Sequence, residues 1–217
     1  MITVHHLDNS RSQRVLWLLE ELSLPYEIKF YKRNAQMMAP PELKAIHPLG
    51  KSPVISDRVG TIAESGAIIE YLVATYGARL APRIGTPEHM RYTYWMYAAE
   101  GSFMTPLLLK LVTMQMRKRT PFFLRPIASG IAKAIERQLV TPNLAAHVEL
   151  WEGTLASSPW FAGDSFSAAD IMMSFPLEAA TSRGGVDRPH IKAWLKTIHA
   201  RPAYQRALER GGAYDYA

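Results

Sequence analysis

The sequence predicts an α/β unit of order βαβαββα over residues 1–78 and an all-helical unit over 88–217, joined by a linker at 79–87. Three observations predict it. Short apolar alternations, the mark of strands, occur only in the first part. From Pro87 onward apolar residues recur at helical spacing, in stretches at 88–116, about 122–156, 167–180 and 189–210. Between the two, Pro82, Gly85 and Pro87 interrupt helix and strand alike.

Ile2, Val4 and His6 alternate with Thr3, His5 and Leu7, a strand that ends at the turn-prone Asp8-Asn9-Ser10. Val15, Leu18, Leu19 and Leu22 fall at helical spacing over 12–22, with Ser10 or Ser12 as the N-cap. After Pro25, Tyr26, Ile28 and Phe30 alternate with Glu27, Lys29 and Tyr31, a second strand parallel to the first because a helix crosses between them. The polar segment 32–47 leaves room for one short helix around 42–46. Ser52-Pro53-Val54-Ile55 and Thr61-Ile62-Ala63 flank Asp57-Arg58-Val59-Gly60 as a hairpin, and Glu64-Ser65-Gly66 opens a helix that runs to Tyr76 and stops at Gly77. In the helical unit, Phe166-Ser167-Ala168-Ala169-Asp170-Ile171 has the spacing of a capping box, a serine N-cap with an acid at N3, flanked by the apolar pair of a hydrophobic staple.

Composition narrows the function. With 217 residues, 48% hydrophobic and 20% charged, the chain buries a core rather than remaining disordered. No run approaches the roughly 20 apolar residues of a membrane span, and the first ten residues lack the pattern of a secretory leader. A cytoplasmic protein with no membrane partner is expected. The absence of cysteine excludes disulfides, thiolate metal sites and any protein thiol nucleophile, so thiol chemistry here requires a thiol that arrives with a ligand. No His-Glu-x-x-His motif occurs, and His5 and His6, neighbours in a strand, point to opposite faces, so no metal site is expected. The net charge of +6 lies wholly in the second part, densest at Arg117, Lys118 and Arg119 with Arg125, Lys133 and Arg137 following. Without a nucleic-acid motif or regular aromatic interleaving, that run reads as a solvated helix face and not as a nucleic-acid site.

Several residues carry chemistry. Glu64-Ser65 stands where a strand gives way to a helix, whose N-terminal dipole attracts carboxylates; beside it the Glu64 carboxylate suits an ammonium, so the pair matches an α-amino-acid head group. The alternative for Ser65 is a plain cap. A cis bond at Ser52-Pro53 would turn the Ser52 backbone toward a peptide-like ligand, and Lys51 beside it could meet a carboxylate. Ser10 lies at the carboxyl end of a parallel strand, where open α/β sheets place ligands, with Asn9 and Ser12 as rivals for its role. Tyr97, Glu100, Phe103 and Met104 sit on one helix, part core and part candidate lining of an acceptor cleft.

Ser10-Arg11-Ser12-Gln13-Arg14, the HPLGKSPVI stretch from His47, the ESGAIIEYL stretch from Glu64 and FSAAD from Phe166 together resemble the cytosolic glutathione S-transferase superfamily over essentially the whole chain, in that family's order and spacing. The likeness is nearest to bacterial theta-like and fungal-like members. It implies a thioredoxin-like first domain, a helical second domain, a homodimer, and glutathione as co-substrate. It also implies roles: Glu64 and Ser65 for the γ-glutamyl group, Ser52 as backbone clamp, Lys51 toward the glycine carboxylate, Pro53 as a cis-proline, and Ser10 as hydrogen-bond donor to the sulfur. Asn9 is the rival donor, one that would favour glutathione-dependent peroxide or disulfide reduction. A non-catalytic binding module on the same fold is the third reading.

Overall fold

The computed structural model describes residues 1–34, 38–182 and 184–216; positions 35–37 of the polar segment, and 183 and 217 of the helical unit, lie outside them. Strand β1 (Ile2–Leu7) is buried along nearly its whole length, its histidines His5 and His6 included. Helix α1 (Gln13–Glu21) crosses from it to β2 (Tyr26–Tyr31), and the two strands pair in parallel with Val4 opposite Ile28. The short α2 (Glu42–Ile46) precedes the hairpin of β3 (Val54–Asp57) and β4 (Gly60–Ala63), which turns tightly at Arg58-Val59 with Gly60 at φ 116°. β3 runs antiparallel to β1, giving the order β2-β1-β3-β4. Helix α3 (Ser65–Tyr76) covers the sheet and ends at Gly77, where a Cβ would come within 2.4 Å of the Leu22 side chain. The mixed four-stranded sheet with α1 and α3 is thioredoxin-like, as the resemblance implied.

A 3₁₀ turn at Ala78–Leu80 leads to α4 (Pro87–Gly101), and the chain is helical thereafter: α5 (Met104–Arg119), α6 (Arg125–Ile135), α7 (Thr141–Ser157), α8 (Ala168–Ser182), α9 (Pro189–His199) and α10 (Pro202–Gly211). Three of the expected long stretches are broken. The first splits at Ser102-Phe103. In the second, a 3₁₀ turn at Phe122–Leu124 and a π segment at Glu136–Val140 interrupt the helix. Pro142, in the first turn of α7, cannot donate to the carbonyl four residues earlier, and the π segment lies at that defect. Pro202 divides the last stretch for the same reason.

Trp17, fully buried on α1, packs against Phe166 and Tyr204, with ring centroids at 5.7 and 5.1 Å, so one helix serves both the sheet and the helical unit. At the end of α1, Glu20 pairs with Arg206 and Arg210, and Glu21 with Arg201. Some of the second part's excess positive charge is thus matched to acids of the first. At α8, Asp170 Oδ2 accepts from the Ser167 backbone N–H (2.9 Å) and hydroxyl (3.1 Å), and Oδ1 accepts from the Phe161 N–H (3.0 Å). The acid half of the capping box forms as expected. The serine half differs, because the hydroxyl donates to the acid and the Asp170 N–H bonds the Ser167 carbonyl instead. Among the described residues no helix is long and apolar enough to cross a membrane.

Candidate active site

The end of β4 and the start of α3 make one wall of a polar pocket of about 270 Å³, lined by Lys51, Ser52, Pro53, Glu64 and Ser65 together with Arg11 and Glu100. The five residues expected to hold a ligand's peptide backbone and head group therefore share one cavity. Ser52-Pro53 is a cis bond, and the Ser52 hydroxyl donates to the His5 carbonyl at 3.1 Å, tying this turn to β1. Glu64 has φ 74°, a left-handed conformation that costs a non-glycine residue free energy and persists only where its surroundings enforce it. No side chain caps α3, so its first N–H groups have no side-chain partner.

Beneath this wall lies Arg14, buried on α1. Its Nη2 donates to Ser65 Oγ (3.1 Å) and its Nη1 to the Met172 carbonyl of α8 (2.8 Å), while the guanidinium also pairs with Glu100 of α4. Because Ser65 Oγ accepts from Arg14, its own hydrogen remains to donate into the pocket. Arg11 holds the other oxygen of Glu100. Burial alone would raise the Glu100 carboxyl, but the charges and hydrogen bonds of Arg14 and Arg11 outweigh it and hold the group below the usual glutamate value. Sequence reasoning assigned neither arginine a role. The available signal was an arginine one turn before Leu18, on the apolar face of a helix.

Ser10 and Asn9 occupy the β1–α1 loop, but neither lines the pocket. Ser10 is buried, and its Oγ accepts from the Ser12 N–H (3.2 Å) and shares a hydrogen with Ser12 Oγ (2.7 Å), which in turn meets His6 Nδ1 (2.8 Å). Burial keeps His6 below its ordinary pKa, against a raising hydrogen bond at Gly211 and the charge of Asp8. Ser12 begins α1 in helical conformation, and its hydroxyl serves this chain of contacts rather than a cap. Asn9, at φ 48°, donates its amide to the Asp215 carboxylate (3.0 Å) and accepts from the Asp215 N–H (2.9 Å), so the C-terminal tail straps the loop.

The four candidates for the acceptor cleft separate. Phe103 is 1% exposed and packs its ring against Trp95, His147 and Trp151, so it is core and lines no cleft. Tyr97 is 67% exposed and lines neither the polar pocket nor the apolar cleft at Met104. Glu100 belongs to the polar pocket. Met104 lines an apolar cleft of about 100 Å³ between α5, α8 and the tail, with Leu107, Leu108, Met114, Phe175 and Tyr216. Periodicity alone could not separate these positions, because the break at Ser102-Phe103 re-aims the residues that follow.

The sequence matches the family model "Glutathione S-transferase, N-terminal domain" over residues 1–74 and "Glutathione S-transferase, C-terminal domain" over 110–202. The chain belongs to the glutathione S-transferase family. It is 38% identical to glutathione S-transferase 3 of Schizosaccharomyces pombe, over 97% of this chain and 88% of the relative, and 34% identical to glutathione S-transferase 1 of Saccharomyces cerevisiae, over 98% and 96%. A crystal structure of a glutathione S-transferase from Actinobacillus pleuropneumoniae superposes with a TM-score of 0.79 at 32% identity, covering 100% of this chain and 95% of the other. The protein is accordingly a glutathione S-transferase enzyme, of a family that uses glutathione as co-substrate.

Proposed function

We propose that this glutathione S-transferase joins the glutathione sulfur to small apolar electrophiles, with residues 1–78 holding glutathione and 88–217 supplying the acceptor site. The observation that carries the reading is the uncapped N-terminus of α3 over the buried Arg14, within one pocket shared by Lys51, Ser52, Pro53, Glu64 and Ser65. The γ-glutamyl carboxylate would take the Ser65 hydroxyl and the first N–H groups of α3, and its ammonium the Glu64 carboxylate. The Ser52 backbone would hold the cysteinyl residue and Lys51 the glycine carboxylate. The acceptor would enter the cleft at Met104, and its apolar lining selects the class of electrophile.

Ser10, buried next to the pocket-lining Arg11 and not itself in the lining, is the sulfur's donor in this reading. A free thiol has a pKa near 8.5, and a donated hydrogen bond together with the N-terminal dipole of α1 would favour the thiolate, which attacks carbon as the leaving group departs. Ser10 has one hydroxyl hydrogen to give. It is free for sulfur only if Ser12 donates to Ser10, and Ser12 can do so only if His6 supplies the hydrogen in their contact, from Nδ1. The rival Asn9 has a side-chain hydrogen already committed to Asp215. The reading includes a cytoplasmic setting, and a homodimer that rests on the resemblance.

The test is turnover of glutathione with an aryl halide, a peroxide and a mixed disulfide, in the parent, Ser10→Ala and Asn9→Ala. Conjugation that falls at least tenfold in Ser10→Ala with little change in KM supports the proposal. Peroxide or disulfide reduction that depends on Asn9, without conjugation, replaces it with the reductase reading.

A further inference from the structure

The turn between α5 and α6 carries an apolar surface that the glutathione chemistry does not use. Residues 121–127 are exposed without a break. Phe122 is 79% and Phe123 66% exposed, and their rings meet edge-on at 5.7 Å. Helix α6 continues this surface. Ala128 and Ala132, one turn apart, are buried, whereas Ile127 and Ile131, each one residue back and so about 100° around the helix, remain exposed. The helix therefore has two apolar stripes, one inside the fold and one in solvent together with Leu124.

Charge says what would cover the outer stripe. From 117 to 137 the chain has six basic residues and one acid, Glu136, and that acid is taken by Arg117. Lys118, Arg119, Arg125, Lys133 and Arg137 are exposed, with no acidic partner among the described residues. A second copy docked by the same patch would oppose cations to cations. A duplex would engage the cations and leave the aromatic tip in water, and a single strand stacked on the two phenylalanines would leave Ile127 and Ile131 uncovered. An anionic bilayer surface takes both, phenylalanine and isoleucine into the acyl boundary and Lys118, Arg119 and Arg125, which flank the turn in the chain, against headgroup phosphates. We propose that the α5–α6 turn docks this enzyme on anionic membrane surfaces, by shallow insertion of Phe122, Phe123, Ile127 and Ile131. That no helix among the described residues is long and apolar enough to span a bilayer bears on crossing and leaves surface docking open.

The test is flotation of the full chain with phosphatidylcholine vesicles, with and without phosphatidylglycerol. Glutathione turnover and melting temperature serve as fold controls, and the proposal is independent of the electrophile. The parent is expected to float with the anionic vesicles only and to be released by salt. Phe122→Ser with Phe123→Ser is expected to lower partitioning at least tenfold. Lys118→Gln with Arg119→Gln should lower it by about fivefold per cation. Ile127→Ser with Ile131→Ser is the second apolar variant, should the first fold poorly. A parent that stays unbound, or a phenylalanine variant that folds normally and floats as well as the parent, overturns the proposal. So does an oligomer that dissociates on removing the two phenylalanines, since a second copy would then cover the stripe.

Discussion

Two helix N-termini in this molecule use the same kinds of residue, a serine with a nearby acid, to opposite ends. At α8 the box is closed: Asp170 is fully buried and spends both oxygens on Ser167 and Phe161. At α3 the terminus is open: Glu64 bends away at φ 74°, nothing caps the helix, and Ser65 is held from behind by Arg14. The difference lies in where the acid sits. An acid three residues into the helix folds back on the N–H groups it can satisfy, whereas an acid before the helix leaves them for a ligand. The first arrangement supports the fold, and the second, on the proposed function, is kept open for the ligand at some cost in stability.

The largest effect is expected from breaking the closed terminus. Asp170→Ala leaves two buried N–H groups unpaired and should cost about 3–5 kcal/mol, lowering the melting temperature by roughly 10 °C or more in calorimetry, with glutathione affinity of the folded fraction little changed. Next comes the support of the open terminus. Arg14→Met removes the link between Ser65, Glu100 and Met172 and should cost about 3 kcal/mol by denaturant titration while weakening glutathione at least tenfold. A smaller effect has the opposite sign: Glu64→Gly relieves the positive φ and should stabilise the fold by about 0.5–1 kcal/mol while reducing glutathione affinity. The smallest effect concerns pH. A carboxyl held below its ordinary value contributes above that value and loses its contribution only as acid carries it through the lowered one. Glutathione affinity should therefore stay flat from about pH 7 to about pH 5, a flatness that isothermal titration across that range would check.

The closed terminus was more legible in the sequence than the open one. Ser167 and Asp170 interact within one turn, so their spacing contains the interaction. The order βαβαββα was legible for a similar reason, since each alternation and each Gly or Pro boundary acts locally. The walls of the polar pocket followed from the strand-to-helix junctions. What supports them did not, because Arg14 meets Ser65 and Met172 across separations of 51 and 158 residues. The apolar cleft was least legible. Phe103 and Met104 are adjacent in the chain, yet one is core and the other lines the cleft, a distinction made by the helix break and by Tyr216 of the tail.

On the proposed function, the two termini divide binding from folding. Calorimetric titration with glutathione, beside thermal unfolding, for Glu64→Ala with Ser65→Ala and for Asp170→Asn tests it most directly. The account predicts that the first variant loses at least tenfold in affinity while melting within a few degrees of the parent, and that the second melts roughly 5–10 °C lower with its affinity retained. Unchanged affinity in the Glu64 and Ser65 variant, or a loss of affinity confined to Asp170→Asn, would contradict it.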